Sequence, residues 1–174
     1  MRIVKVSKKK YPLLVYPTQG HAFRVPSQRN FNNKFVEDHG CSLVAFYISM
    51  AFLGKTKSMG KLLKWSKKHL DVKSKIPLSE VYKGLKKLAP KSKQGNIYFR
   101  RKVTAQELRF YLAYGCLVIF ETKNPTHSNP LMWDDSKCCV RNFSNGKHTR
   151  VTVENLIQQQ CTDSTYRGCI IIKP

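Results

Sequence analysis

A thiol at Cys41, an imidazole at His127 and a carboxamide at Asn142 are the residue types that sulfur chemistry on an amide requires. The sulfur must ionise where a carbonyl can reach it, and a neighbouring base must take or share its proton. A third group must hold the imidazole in the right tautomer. Cys41 stands in EDHGCSLVAFYISMAFLG, directly after Gly40 and ahead of an apolar run. If that run is a helix, Cys41 opens it, and the unpaired N–H groups and positive dipole end there favour thiolate over thiol. A bland reading stands beside this one: free cysteine packs well as a small apolar side chain, and Cys41 can belong to the core for that reason alone.

Five histidines compete for the role of base. His21 lies in an N-terminal arm and His69 at the lysine-rich end of a helical segment, both positions that suit the surface. His39 is two residues before Cys41, too close to approach the sulfur from across a cleft. His148 follows the Asn145-Gly146 turn on an exposed hairpin. His127, in TKNPTHSNPLMW, comes after an apolar strand and at the start of the next, where a sheet presents it at an edge; its bland reading is a loop histidine. Asn142, in KCCVRNF, is reached from His127 around a turn at Asp135-Ser136, and counting back around that turn places it near His127 on the neighbouring strand. Asp134 and Asp135 fall in the turn itself. For Asn142 the competing reading is that it opens the turn NFSNG.

These residues need a frame. Residues 1–36 mix short apolar pieces with Pro12, Pro17 and Pro26, which predicts an extended arm with a strand or two. The segment after Cys41 is apolar on nearly all sides and predicts a buried helix ended by Gly54. SMGKLLKWSKKHL (58–70) and PLSEVYKGLKKLAP (77–90) predict two amphipathic helices with lysines outside. The loop PKSKQG and a strand NIYFR lead to a helix opened by the capping box Thr104-Ala-Gln-Glu107 and stopped by Gly115. CLVIFETK is a buried strand, Asn145-Gly146 marks a hairpin, a short helix VENLIQQQ follows, and GCIIIKP closes the chain. The order predicts α+β: a helical half with its central helix opened by Cys41, packed on an antiparallel sheet half, in one domain over 1–174 with its core in 28–172 and an arm in 1–27. The cleft between the halves is the natural meeting place for the three residues.

Composition narrows the setting. The 174 residues are 41% hydrophobic, enough for a core and against disorder, yet 32 Lys+Arg stand against 10 Asp+Glu, a net charge of +22. That excess predicts attraction to polyanions, nucleic acid or an acidic protein among them, through the lysine-rich helices, although no recognised reading motif accompanies it. The six cysteines show neither CxxC nor zinc-site spacing with histidine, so neither metal nor cofactor is expected. No apolar run is long enough for a leader or a membrane span, which predicts a reduced, cytoplasmic chain; a secreted mature form stripped of its leader stays open.

The order Cys, His, Asn, carried by HGCSLVAF, the helix-Gly115-CLVIFETK unit and THSNPLMWDDSKCCVRNFSNGK, resembles the papain-like cysteine peptidases of the C39-like group. That resemblance covers roughly residues 28–172. It implies a papain-like fold, a peptide or protein substrate, Cys41 as nucleophile, His127 as base and Asn142 as orienting group. The sequence departs from the group at two places. Phe35 stands where the group carries a glutamine that donates to the oxyanion, and Thr126 replaces a common glycine before the histidine. The missing donor is worth on the order of 10²–10³ in rate; Gln28, Asn32 and Asn33 are nearby amides, with Gln28 and Asn33 the candidates, and the N–H groups at the start of the Cys41 helix can share the work.

Two readings follow. One is a thiol hydrolase or acyl-transfer enzyme working through a Cys41 thioester. The other is a catalytically idle protein on the same scaffold whose lysine-rich helices hold nucleic acid or an acidic partner. A cell-wall peptidase of the NlpC type also pairs Cys-Ser with an apolar helix, but the spacing of His127 and Asn142 suits it less well.

Overall fold

A computed structural model describes residues 13–15, 22–24, 40–55, 57–72, 76–123, 126–134, 139–144, 147–154 and 166–174. The chain is α+β, with helices packed on an antiparallel sheet. Two short strands, β1 (Leu13–Val15) and β2 (Ala22–Arg24), form a separate antiparallel pair in the predicted arm. Three helices follow: α1 (Cys41–Phe52), α2 (Met59–His69) and α3 (Leu78–Leu88). A 3-10 helix over Lys91–Asn96, where a polar loop was expected, leads to β3 (Ile97–Arg100) and α4 (Ala105–Ala113). The remaining strands are β4 (Leu117–Lys123), β5 (Thr126–Asp134), β6 (Cys139–Ser144), β7 (Lys147–Val151) and β8 (Tyr166–Ile172). The expected helix VENLIQQQ lies mostly outside the described residues.

Caps fix the helix ends, the expected capping box of α4 among them. Ser58 accepts from the Lys61 N–H at the start of α2, and Thr104 and Glu107 satisfy each other's backbone at the start of α4. Gly54, at φ +77°, turns the chain off α1 while the Lys55 N–H bonds the Met50 carbonyl, and Gly115, at φ +88°, ends α4 in the same way. Both positions demand the left-handed conformation that glycine adopts without steric cost.

The six strands are ordered β3-β8-β4-β5-β6-β7, each antiparallel to its neighbour. Strands β4 to β7 follow one another as an antiparallel meander, but β8 inserts between β3 and β4. Its apolar run explains the central place: Ile170 and Ile172 face one side, Cys169 and Ile171 the other, and all four are buried. Alternation divides the core accordingly. Leu117, Ile119, Met132, Ile170 and Ile172 pack under α1, α2 and α3, while Val118, Phe120, Leu131, Cys169 and Ile171 pack under α4.

The all-round apolar character of α1 now has a cause. The sheet lies beneath it and α2 and α3 flank it, so ten of its twelve residues are buried. It therefore shares a continuous core with the sheet, and the two halves are not parted along its length. Gly84 sets the distance on the α3 side: a Cβ there would stand 2.6 Å from the Phe46 ring of α1.

Candidate active site

Two local features bring the start of α1 to the start of β5. The first is Pro130. It lacks an N–H, and among the described residues the pairing of β5 with β6 runs only from Leu131 to Asp134. Ahead of Pro130, β5 is paired with β4 alone, through Glu121↔Ser128 and Thr122↔His127. The second is a serine pair. Ser42 and Ser128, both buried, share a hydrogen bond of 3.1 Å across 86 residues of sequence. That bond ties the first turn of α1 to β5 one residue from Cys41 and one from His127.

Cys41 and His127 meet there. The His127 side chain hydrogen-bonds the Cys41 sulfur, the Ser128 backbone N–H donates to it, and the Ser42 hydroxyl lies 4.0 Å away. Burial by itself raises the Cys41 thiol. The His127 bond and charge, followed by the Ser128 N–H and the Ser42 side chain, outweigh it, so the thiol is held below its ordinary value. The start of α1 adds to this trend: no side chain caps it, its first turn has no acidic residue, and Gly40 leaves the N–H groups uncovered by a side chain. Cys41 itself is half-buried and in no disulfide. A nucleophile that is ionisable, partly accessible and paired with an imidazole is chemically competent to attack a carbonyl.

The third expected residue is placed differently. Asn142 sits on β6 opposite Leu131, four residues further along β5 than His127, or roughly 13 Å at the usual rise per residue. The reason is the hairpin register. Asp134 pairs with Cys139, which centres the register past the expected Asp135-Ser136, whereas Asn142 stands level with His127 only about a centre between Asp134 and Asp135. A side chain closer to His127 was missed in the sequence. Asn129, 2% exposed, lies two residues further along the same strand and donates from its amide nitrogen to the His127 carbonyl at 3.4 Å. The signal was present in the period-two spacing of His127 and Asn129 within THSNP. Ser42 and Ser128 were missed for a plainer reason: each is the unremarked neighbour of a residue with obvious chemistry.

Other expectations fall to either side of the site. His69 is exposed at the end of α2, as expected of a surface residue, with its ring tilted against that of Trp65. Gln28, Asn32, Asn33, Phe35, His21 and His39 lie outside the described residues, as do Cys138 and Cys161. Cys116 and Cys169 are in no disulfide and are buried in the core beneath α4. Among the described residues no three His, Cys, Asp or Glu side chains gather as a metal would require, and no helix is long and apolar enough to cross a membrane. In comparisons with known proteins, no family model matches the chain, and neither a curated protein nor a solved structure is found to be similar to it.

Proposed function

We propose that this protein is a papain-like thiol hydrolase of the C39-like type, cutting an amide bond in a peptide or protein through a Cys41 thioester. The contact between Cys41 and His127, residues 86 apart joined at an uncapped helix start, carries the reading. In the first step the Cys41 thiolate attacks the substrate carbonyl carbon and the carbonyl oxygen takes the negative charge. Backbone N–H groups at the start of α1 are the donors available to it there, with Gln28 and Asn33 as further candidates. The C–N bond then breaks, the imidazolium of His127 protonates the departing amine, and an acyl-thioester remains on Cys41. His127, now neutral, takes a proton from water, the hydroxide adds to the thioester carbonyl, and the thiolate leaves to release the acid.

Two amides compete to orient His127. Asn142 has the order expected of the C39-like group, and Asn129 has the nearer position in the chain fold. The direct test is to treat the folded protein with iodoacetamide at neutral pH and map the adducts. Selective modification of Cys41, lost in His127→Ala, supports an activated pair; slow labelling of all accessible cysteines, unchanged by that substitution, refutes it. Asn129→Ala and Asn142→Ala, compared by the pH dependence of Cys41 labelling, then tell which amide orients the imidazole.

A further inference from the structure

We infer that the outer face of α2 and α3 binds nucleic acid through its backbone phosphates, without regard to base sequence. None of its residues belongs to the Cys41 site, so the inference stands independently of the proposed hydrolase. On α2 the inward stripe of Met59, Leu62, Leu63 and Ser66 is buried, which turns Lys61, Lys64 and Lys68 outward at one-turn spacing. On α3, Val81, Gly84 and Leu85 are buried and Lys83 and Lys87 are exposed.

Trp65 joins the two rows into one surface. Its ring is held from below by Phe46, edge-on at 6.2 Å, while the His69 ring lies 5.0 Å from it and the Lys87 ammonium of α3 stands 6.0 Å from its centroid. The positive charges converge on that ring closely enough to act on His69. Loss of hydration beside the neighbouring side chains, then the charges of Lys87 and Lys68, hold its imidazole below the ordinary value, so the cluster opposes a further positive charge and is ready for a negative one. Acidic neighbours do little to neutralise it. Among the described residues Glu80 is buried and pairs with Lys83 and the Asp71 N–H, and exposed Asp71 follows α2 two residues beyond His69, so the face rests on Lys61, Lys64, Lys68 and Lys87.

The chemistry of the face selects among polyanions. Neither α2 nor α3 contains arginine, so the cations are point charges suited to phosphates and not forks that read base edges. An anionic membrane is disfavoured because the apolar stripes of both helices are already buried against α1 and cannot insert. An acidic protein is disfavoured because lysine is depleted at protein interfaces and, among the described residues, no fully exposed large apolar side chain lies on α2 or α3.

The test uses the full chain and fluorescence anisotropy with a mixed-sequence 20-base-pair duplex DNA as the probe, over a series of salt concentrations. Replacing Lys61, Lys64, Lys68 and Lys87 together by Gln should reduce the slope of log affinity against log salt by about 3–4 and weaken binding on the order of 10²-fold. The matched set Lys55→Gln, Lys91→Gln, Arg101→Gln and Lys102→Gln should leave the slope nearly unchanged. Equal losses in the two sets would overturn the inference, since net charge alone would then explain retention. In the unsubstituted protein the His69 titration, followed by NMR, should move upward when DNA is bound; a titration that stays in place, or tighter binding to phosphatidylserine vesicles than to DNA, would also overturn it.

Discussion

Cys41 and Cys116 are the same residue at comparable places, one opening α1 and the other immediately preceding β4, yet the fold drives their thiols in opposite directions. Cys116 is packed among Leu108, Leu112 and Val118 in the core beneath α4, and burial pushes it up to about 11, with the charge of Lys173 offsetting only part of the effect. Cys41 also suffers from burial, but His127, the Ser128 N–H and Ser42 surround its sulfur and more than compensate. A helix start or a strand start does not by itself make a cysteine reactive. The decisive difference is whether hydrogen-bond donors and a cation have been brought to the sulfur from a distant part of the chain.

The contrast can be broken most directly at its centre. Cys41→Ala should abolish turnover of any amide substrate, a loss on the order of 10⁴-fold or more, whereas Cys116→Ala should leave turnover within a few-fold; steady-state kinetics of the two variants decides. His127→Ala comes next. It removes the largest influence lowering the Cys41 thiol, and alkylation of Cys41 at pH 7 should slow by roughly 10-fold or more, because thiolate population follows the pKa. The Cys116 rate should not change, and mass spectrometry of the adducts reads both sites at once.

A pH series sharpens the comparison without mutation. Alkylation of Cys41 should reach its half-maximal rate below pH 9, whereas Cys116 should approach it only near 11. The linkage to stability has opposite signs. From about pH 9 to 11 the unfolded chain releases the Cys116 proton while the native chain keeps it, so stability falls as pH rises through that window. Cys41 is deprotonated earlier in the native chain than in the unfolded one, so it adds stability as pH rises towards 9. Urea midpoints of Cys41→Ala and Cys116→Ala across this range separate the two contributions.

Smaller effects test what holds the Cys41 side in place. Gly84→Ala drives a methyl group into the Phe46 ring on α1 and should cost about 1–3 kcal/mol in urea unfolding. Displacement of α1 should then slow Cys41 alkylation more than that of Cys116. Ser42→Ala and Ser128→Ala each leave a buried hydroxyl without its partner and should cost about 1 kcal/mol. The double variant should cost less than the sum of the two, and a double-mutant cycle in the same assay measures that coupling.

Much of the frame was legible because local rules carried it. The capping box marked the start of α4 and glycines the ends of α4 and α1, while lysines on one stripe with leucines on the other marked α2 and α3. The position of β8 was not legible: a run such as GCIII says that a strand is buried on both faces but not which strands flank it. The same limit applies to the site. Cys41 and His127 advertise their chemistry by type, and each is placed by its own element start. Asn142 depended on the turn length between β5 and β6, where a shift of a few residues moves a side chain by a dozen ångströms along the strand.

Sequence alone determined which residues are able to do chemistry, where helices begin and end, and the large positive charge, since all of these are set by side-chain type and near-neighbour spacing. Only the tertiary structure decided that Cys41 and His127 share a hydrogen bond, that Ser42 and Ser128 fasten their elements together, and that α2 and α3 join their lysines around Trp65. The physical reason is that sulfur ionisation and charge convergence depend on distances through space. Those distances come from packing the whole apolar core and are not encoded at any single stretch of the chain.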